Sequence, residues 1–201
     1  MNLKLPLLVL IFSLSMPLAR AGQNPANKPR NATENNGQIS SSDKSFLQAL
    51  IQEDMSEIQL AHLALQKSSS PEVKQYANSK ILAADPDMRD RAEQIAKQYG
   101  MTPPKGPNAR QDQTYGKLAK QSGKLFDNAY MNYEADQQSA DVNLVQAEIN
   151  STDNPTVKSY AQTEELPVKQ AASSAVDLST KISTKMTDYR QPDNGGDPGQ
   201  P

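Results

Sequence analysis

Pro71-Glu72-Val73-Lys74-Gln75-Tyr76-Ala77 returns as Pro155-Thr156-Val157-Lys158-Ser159-Tyr160-Ala161, identical at five of seven positions. The copies stand 84 residues apart, and the same interval pairs Asp43, Phe46 and Leu47 with Asp127, Tyr130 and Met131 without a gap. It also pairs Ile58 with Val142, Leu60 with Leu144 and Leu82 with Leu166. Self-similarity at a fixed interval marks two copies of one supersecondary unit.

The repeated segment opens like a helix. Ser70-Pro71-Glu72 supplies a cap, a proline in the first turn and an acid near the positive dipole end. Upstream, the spacing predicts a first helix from an Asp43 cap to Lys67, with Phe46, Leu47, Leu50, Ile51, Met55, Ile58, Leu63 and Leu65 as its apolar set. Ser68-Ser69-Ser70 breaks it. A second helix carries Val73, Tyr76, Ala77, Ile81, Leu82, Met88, Ala92, Ile95 and Ala96 to a stop at Gly100, with a kink or break expected near Asp85-Pro86.

Thr102 to Pro107 reads as a loop, and Asp112 to Lys120 as a short connecting helix. A third helix is expected from Gly123 to Asn150, with Leu125, Phe126, Tyr130, Met131, Val142, Leu144, Val145 and Ile149 as its apolar set and an unusually polar middle, Asn132 to Asp141. Pro155 opens a fourth, to Met186, with a kink expected at Pro167. No alternation suggests strand. The expected fold is all-α: an antiparallel four-helix bundle built from two repeated helical hairpins. Its long crossover is that of the ferritin-like variant.

The flanks read differently. Lys4, the apolar run Leu5 to Met16 and Ala19-Arg20-Ala21 make residues 1–21 a secretory signal peptide cut after Ala21. The apolar run is too short to span a bilayer, which needs about 20 residues. Residues 22–42 are expected to be a flexible linker, 43–186 the bundle, and 187–201 a disordered tail. There is no cysteine, which removes disulfides and thiolate metal sites. With 21 basic and 23 acidic residues, the net charge of −2 makes no case for nucleic acid or an anionic membrane.

Chemistry is harder to place. The di-metal centre of ferritin-like bundles needs a Glu-x-x-His motif on each of two helices, and this chain has one histidine, His62. It follows Glu57 by five residues, off the same helix face. Glu53, Asp54 and Glu57 could bind a hard cation with Asp136 or Asp141, but read more simply as a solvated acidic face. Asp85, Asp87 and Asp90 lack the glycine and final glutamate of a calcium loop. Tyr76 and Tyr160 read as core tyrosines whose hydroxyls reach a polar edge, and Lys74 and Lys158 as solvated. No nucleophile elbow or phosphate loop occurs.

Asp43-Lys44-Ser45-Phe46, Glu57-Ile58-Gln59-Leu60-Ala61, Pro71 to Ala77, Phe126-Asp127-Asn128-Ala129-Tyr130, Pro155 to Ala161 and Leu166-Pro167 together resemble an uncharacterised family of exported bacterial proteins. It is a domain of unknown function with a ferritin-like fold, and its members are often named as outer-membrane proteins. The likeness spans about residues 43–183. The resemblance implies histidines after Asp85, near Gln137-Gln138 and just after Leu166-Pro167, where this chain has none.

The expected function is that of an exported, non-enzymatic bundle in the periplasm or cell envelope. It would work through an unknown envelope protein or a second copy, with no cofactor and no transmembrane segment in the mature chain. The alternative is a metal-binding or metal-storing ferritin-like protein using carboxylates only. A third reading holds a small apolar ligand between the helices.

Overall fold

The computed structural model describes residues 39–188, and they are all-α: no strand occurs among them. The signal peptide at 1–21, most of the expected linker and the tail from 189 onward lie outside the described residues. Helix α1 runs Ser41–Lys67. Its cap is Ser40 and not Asp43: the Ser40 hydroxyl accepts from the Asp43 amide at 3.0 Å, and the Asp43 carboxylate accepts from the Ser40 amide at 2.9 Å. This capping box satisfies two donors reciprocally. The ordered chain therefore reaches into the last residues of the expected linker, where Ile39 is buried.

Helix α2, Pro71–Tyr76, starts as the sequence suggests, with the Ser70 hydroxyl accepting from the Val73 amide at 3.4 Å. It passes directly into a π-helical stretch, Ala77–Ile81. A turn over 82–84 then ends the element, and α3 resumes as Asp85–Gln98. Pro86 thus lies in a first turn, where its missing N–H costs nothing. Helix α3 closes on Gly100 at φ 72°, with Met101 N–H donating to Ala96 O at 2.9 Å and Gly100 N–H to Lys97 O at 3.0 Å. That is a Schellman motif, and the left-handed φ explains the glycine.

The connection carries α4, Ala109–Leu118. Helices α5, Gly123–Ser151, and α6, Pro155–Asp188, follow and pack along each other. Helix α6 runs as one helix through Pro167, the position where a kink is expected. Twelve helical residues precede Pro167, so the helix is already propagating where the proline removes one N–H from the ladder. Helix α1 packs against α3, the π stretch and α5, and α4 lies on α1 and α5.

The core is divided in two. One apolar half gathers Leu60, Val73, Ile81, Phe126, Tyr130, Met131 and Ile182. The other gathers Phe46, Leu50, Met88, Ala92, Val145, Val157 and Val168. On α1, α3 and α5 the residues between the two halves are polar and still buried: Asp54 and Glu57 on α1, Asp85 on α3, Glu134, Gln138 and Asp141 on α5. Leu125, expected in the core, is exposed instead, because the α5 stripe runs through Phe126 and Tyr130.

Candidate functional site

The polar layer is the candidate site. It contradicts the solvated-face reading of α1: Asp54 and Glu57 are only 4% and 3% exposed, while Glu53 is half-buried. The reason is register. The inward stripe of α1 runs Leu47, Leu50, Ile51, Asp54, Glu57, Leu60 and Ala61 at spacings of 3 and 4, so the acids stand in core positions. Met55 and Ile58, which the apolar pattern suggested, flank that stripe and are only partly buried.

Of the acids around Pro86, Asp85 turns inward while Asp87 and Asp90 face solvent, so the three do not converge. Asp141 joins the layer and Asp136 does not. His62 is exposed and takes no part. Lys74 is exposed and Lys158 half-buried.

Four carboxyl side chains, Asp54, Glu57, Asp85 and Asp141, line a small cavity of about 20 Å³ together with Gln138 and Lys80. The Gln138 amide donates to Glu57 Oε2 at 2.8 Å. Asp141 Oδ1 accepts from Gln137 Nε2 at 3.5 Å, a long contact. Below the cavity, Glu134 is fully buried and accepts from the Tyr76 hydroxyl at 3.2 Å. Tyr76 therefore serves a buried carboxyl and not a polar edge. Tyr160 donates to the Met88 carbonyl at 3.2 Å. Further toward the other half, Glu164 is fully buried, and half-exposed Arg91 approaches its Oε1 at 3.2 Å.

Hydrogen bonding leaves much of this layer unmet. Asp54 Oδ2, Glu57 Oε1, Asp85 Oδ2, Glu134 Oε1 and both oxygens of Glu164 complete no hydrogen bond. Arg91 therefore offers Glu164 charge without good hydrogen-bond geometry. Burial accounts first for the resulting electrostatics. It pushes the Asp85 carboxyl up to about 7, with Glu57 opposing the rise. Burial, then the Asp85 charge, push Glu134 up to about 8. Burial, then Glu53, push Asp141 up to about 8. Asp54 and Glu57 rise well above the usual range, again through burial and then neighbouring acids, Asp85 first. Like charges this close cannot all ionise in a poorly solvated core, so the layer keeps part of its protons at neutral pH. Among the described residues, no three acidic or histidine side chains are drawn tightly enough together to hold a metal ion as they stand.

Glu134, Gln138 and Glu164 escaped sequence reasoning. The signal was available: Glu134, Gln138, Asp141 and Val145 follow helical spacing within a stretch read only as polar.

Comparison with solved structures places the fold. A DUF305 fragment from Deinococcus radiodurans superposes with a TM-score of 0.62 at 12% identity, covering 72% of this chain and 99% of the fragment. A candidate spore coat protein from Bacillus halodurans C-125 superposes at 0.51 with 13% identity, covering 77% of this chain and 93% of its own. No curated protein matches. Residues 28–178 match the profile of a domain of unknown function (DUF4142), and the chain belongs to that family.

Proposed function

We propose that this member of the DUF4142 family is an exported, ferritin-like four-helix bundle whose carboxyl layer takes up one divalent cation in exchange for protons. The observation that carries the reading is the 20 Å³ cavity lined by Asp54, Glu57, Asp85 and Asp141. A volume of about 10–15 Å³ already admits a single water-sized species. Three of those four side chains present an oxygen with no hydrogen-bond partner. An all-oxygen donor set suits a hard cation such as Mg²⁺, Ca²⁺ or Mn²⁺.

Binding has to draw the carboxylates inward and strip them of protons, so affinity rises with pH. The family resemblance supports the location. Its expected histidines fall beside Asp85, near Gln137-Gln138 and after Pro167, and of these positions Asp85, Gln138, Pro167 and Val168 line the cavity.

Export to the periplasm or cell envelope rests on Lys4, the Leu5 to Met16 run and Ala19-Arg20-Ala21. Two hairpins related by the 84-residue repeat, joined across α4, give the bundle its ferritin-like order. The role is binding, not turnover. Among the described residues no helix is long and apolar enough to cross a membrane. The exposed large apolar side chains, Tyr115, Leu125, Leu166 and Val176, are few and spread over α4, α5 and α6, which gives a partner surface little support.

Thermal melts with and without Mn²⁺ test the reading, because an ion that binds only the native state raises Tm. The expected result is a rise at pH 8 that vanishes at pH 5. No rise with Mn²⁺, Ca²⁺ or Mg²⁺ at pH 8 would sink it.

A further inference from the structure

A second pair of buried acids lies outside the carboxyl layer. Asp43, in the first turn of α1, is only 3% exposed, and Glu148, in the last turn of α5, only 4%. The two side chains are hydrogen-bond partners. Two carboxylates have no hydrogen to share, so one of the pair carries a proton.

The helix ends decide which. The positive end of the α1 dipole favours charge on Asp43, and the negative end of the α5 dipole opposes it on Glu148. Burial works against the Asp43 charge, but the Ser40 amide at 2.9 Å, Glu148 and the Thr152 hydroxyl outweigh it and hold Asp43 below its ordinary value. Glu148 is pushed up to about 7, by burial first and then by Asp43. Among the described residues Asp43 is the charged group that acts on Glu148. Lys97, at the end of α3, is held by Glu93, and Lys44 and Asp153 are exposed.

The 84-residue repeat supplies a contrast. Asp127 stands where Asp43 does, and it accepts from the Ser69 hydroxyl at 2.7 Å and the Ser69 amide at 3.3 Å, donors that do not titrate. Ala64 stands in the place of Glu148. One joint between the two hairpins is therefore permanent, and the other is made with a proton.

We infer that the Asp43–Glu148 pair is a pH-sensitive latch: a proton on Glu148 holds the start of α1, residues 39–43, against the end of α5, and ionisation releases it. A gap of about 330 Å³ between that segment and the α5–α6 turn gives water a way to the freed carboxylate. The advantage of the closed latch is complete below the ordinary carboxyl value and is lost as pH rises through about 7. The latch is separate from the carboxyl layer and does not depend on the cation reading.

Hydrogen exchange followed by NMR at pH 6 and pH 8, corrected for the intrinsic pH dependence of exchange, tests it. Protection of the Ser40, Asp43 and Lys44 amides, which close the cap of α1, should fall about tenfold. In Glu148→Gln an amide donates to Asp43 at every pH, so this fall should vanish while the fall at Leu60, set by global unfolding, remains. In Asp43→Asn, which still caps α1, the midpoint of the Glu148 ¹³C carboxyl titration should move down toward the ordinary range. Unchanged protection of the three amides in the wild type, a fall that survives Glu148→Gln, or a Glu148 midpoint unmoved by Asp43→Asn would overturn the proposal.

Discussion

Gln138 donates its side-chain amide to Glu57 at 2.8 Å inside the core, and the 84-residue repeat exchanges the two helices that hold them. Asp141 stands 84 residues after Glu57, and Gln138 stands 84 residues after Asp54. The counterpart of the Gln138–Glu57 contact is therefore Asp54 against Asp141. There an acid replaces the amide, and the Asp141 charge helps to raise Asp54. One half of the layer is satisfied by an amide, and the other is left with two carboxyls and a need for protons.

Stability should fall as pH rises from about 4.5 to about 8. Asp85, Glu134 and Asp141 have folded-state values raised to about 7, 8 and 8. Between the unfolded and folded values the native state binds more protons, so its advantage is complete below the ordinary carboxyl range and is lost through neutrality. A net uptake of one proton over one pH unit is about 1.4 kcal/mol. At about 2–4 °C per kcal/mol for a chain of this size, Tm should drop by roughly 5 °C or more. Circular-dichroism melts from pH 5 to 8 in the presence of a chelator measure this, and a rising Tm would refute the protonated layer.

Asp85→Asn should stabilise the protein at pH 8 and flatten that dependence. The amide keeps the shape and removes a charge that raises Asp54, Glu57 and Glu134. The gain expected is about 1–2 kcal/mol by urea denaturation. The same variant should lose the Mn²⁺-induced rise in Tm, and a retained rise would remove Asp85 from the cation reading.

Tyr76→Phe deletes the hydroxyl that donates to Glu134 at 3.2 Å. That bond opposes the upward shift of Glu134, so the carboxyl should titrate higher still. The stability cost should be about 1–2 kcal/mol, the price of one buried hydrogen bond to an acid. The difference between wild-type and variant infrared titrations of the protonated carboxyl band isolates the change at Glu134 from the other raised acids.

Gly100→Ala should cost about 1 kcal/mol with no change in packing. A Cβ there meets nothing within 4 Å, and the penalty is the φ of 72° alone. Gly100→Asn, which tolerates that φ better, should cost less, and denaturant midpoints of the two variants decide it.

The helices were readable in the sequence because their signals are local. Ser70-Pro71 and Gly100 act within a few residues of themselves, and the structure uses them as the sequence suggests. Ser40 was missed as a cap because Asp43 has the same preference, and the capping box uses both. The carboxyl layer was hidden by a sound general rule, that acids face water. Asp54 and Glu57 obey the core spacing more closely than Met55 and Ile58 do, and a count by position would have ranked them as inward. Glu164 and Glu53 could not be placed in this way. Their surroundings are made by Arg91 and Gln111, which lie 73 and 58 residues away.

The π-helical stretch over Ala77–Ile81 makes the length of this segment matter more than its composition. Side chains along an α-helix turn by about 100° per residue. Removing one residue between Tyr76 and Asp85 would rotate every later position of α3 by about that angle, carrying Asp85 and Met88 out of the core together. Relatives that keep the layer should tolerate many substitutions here and almost no insertion or deletion.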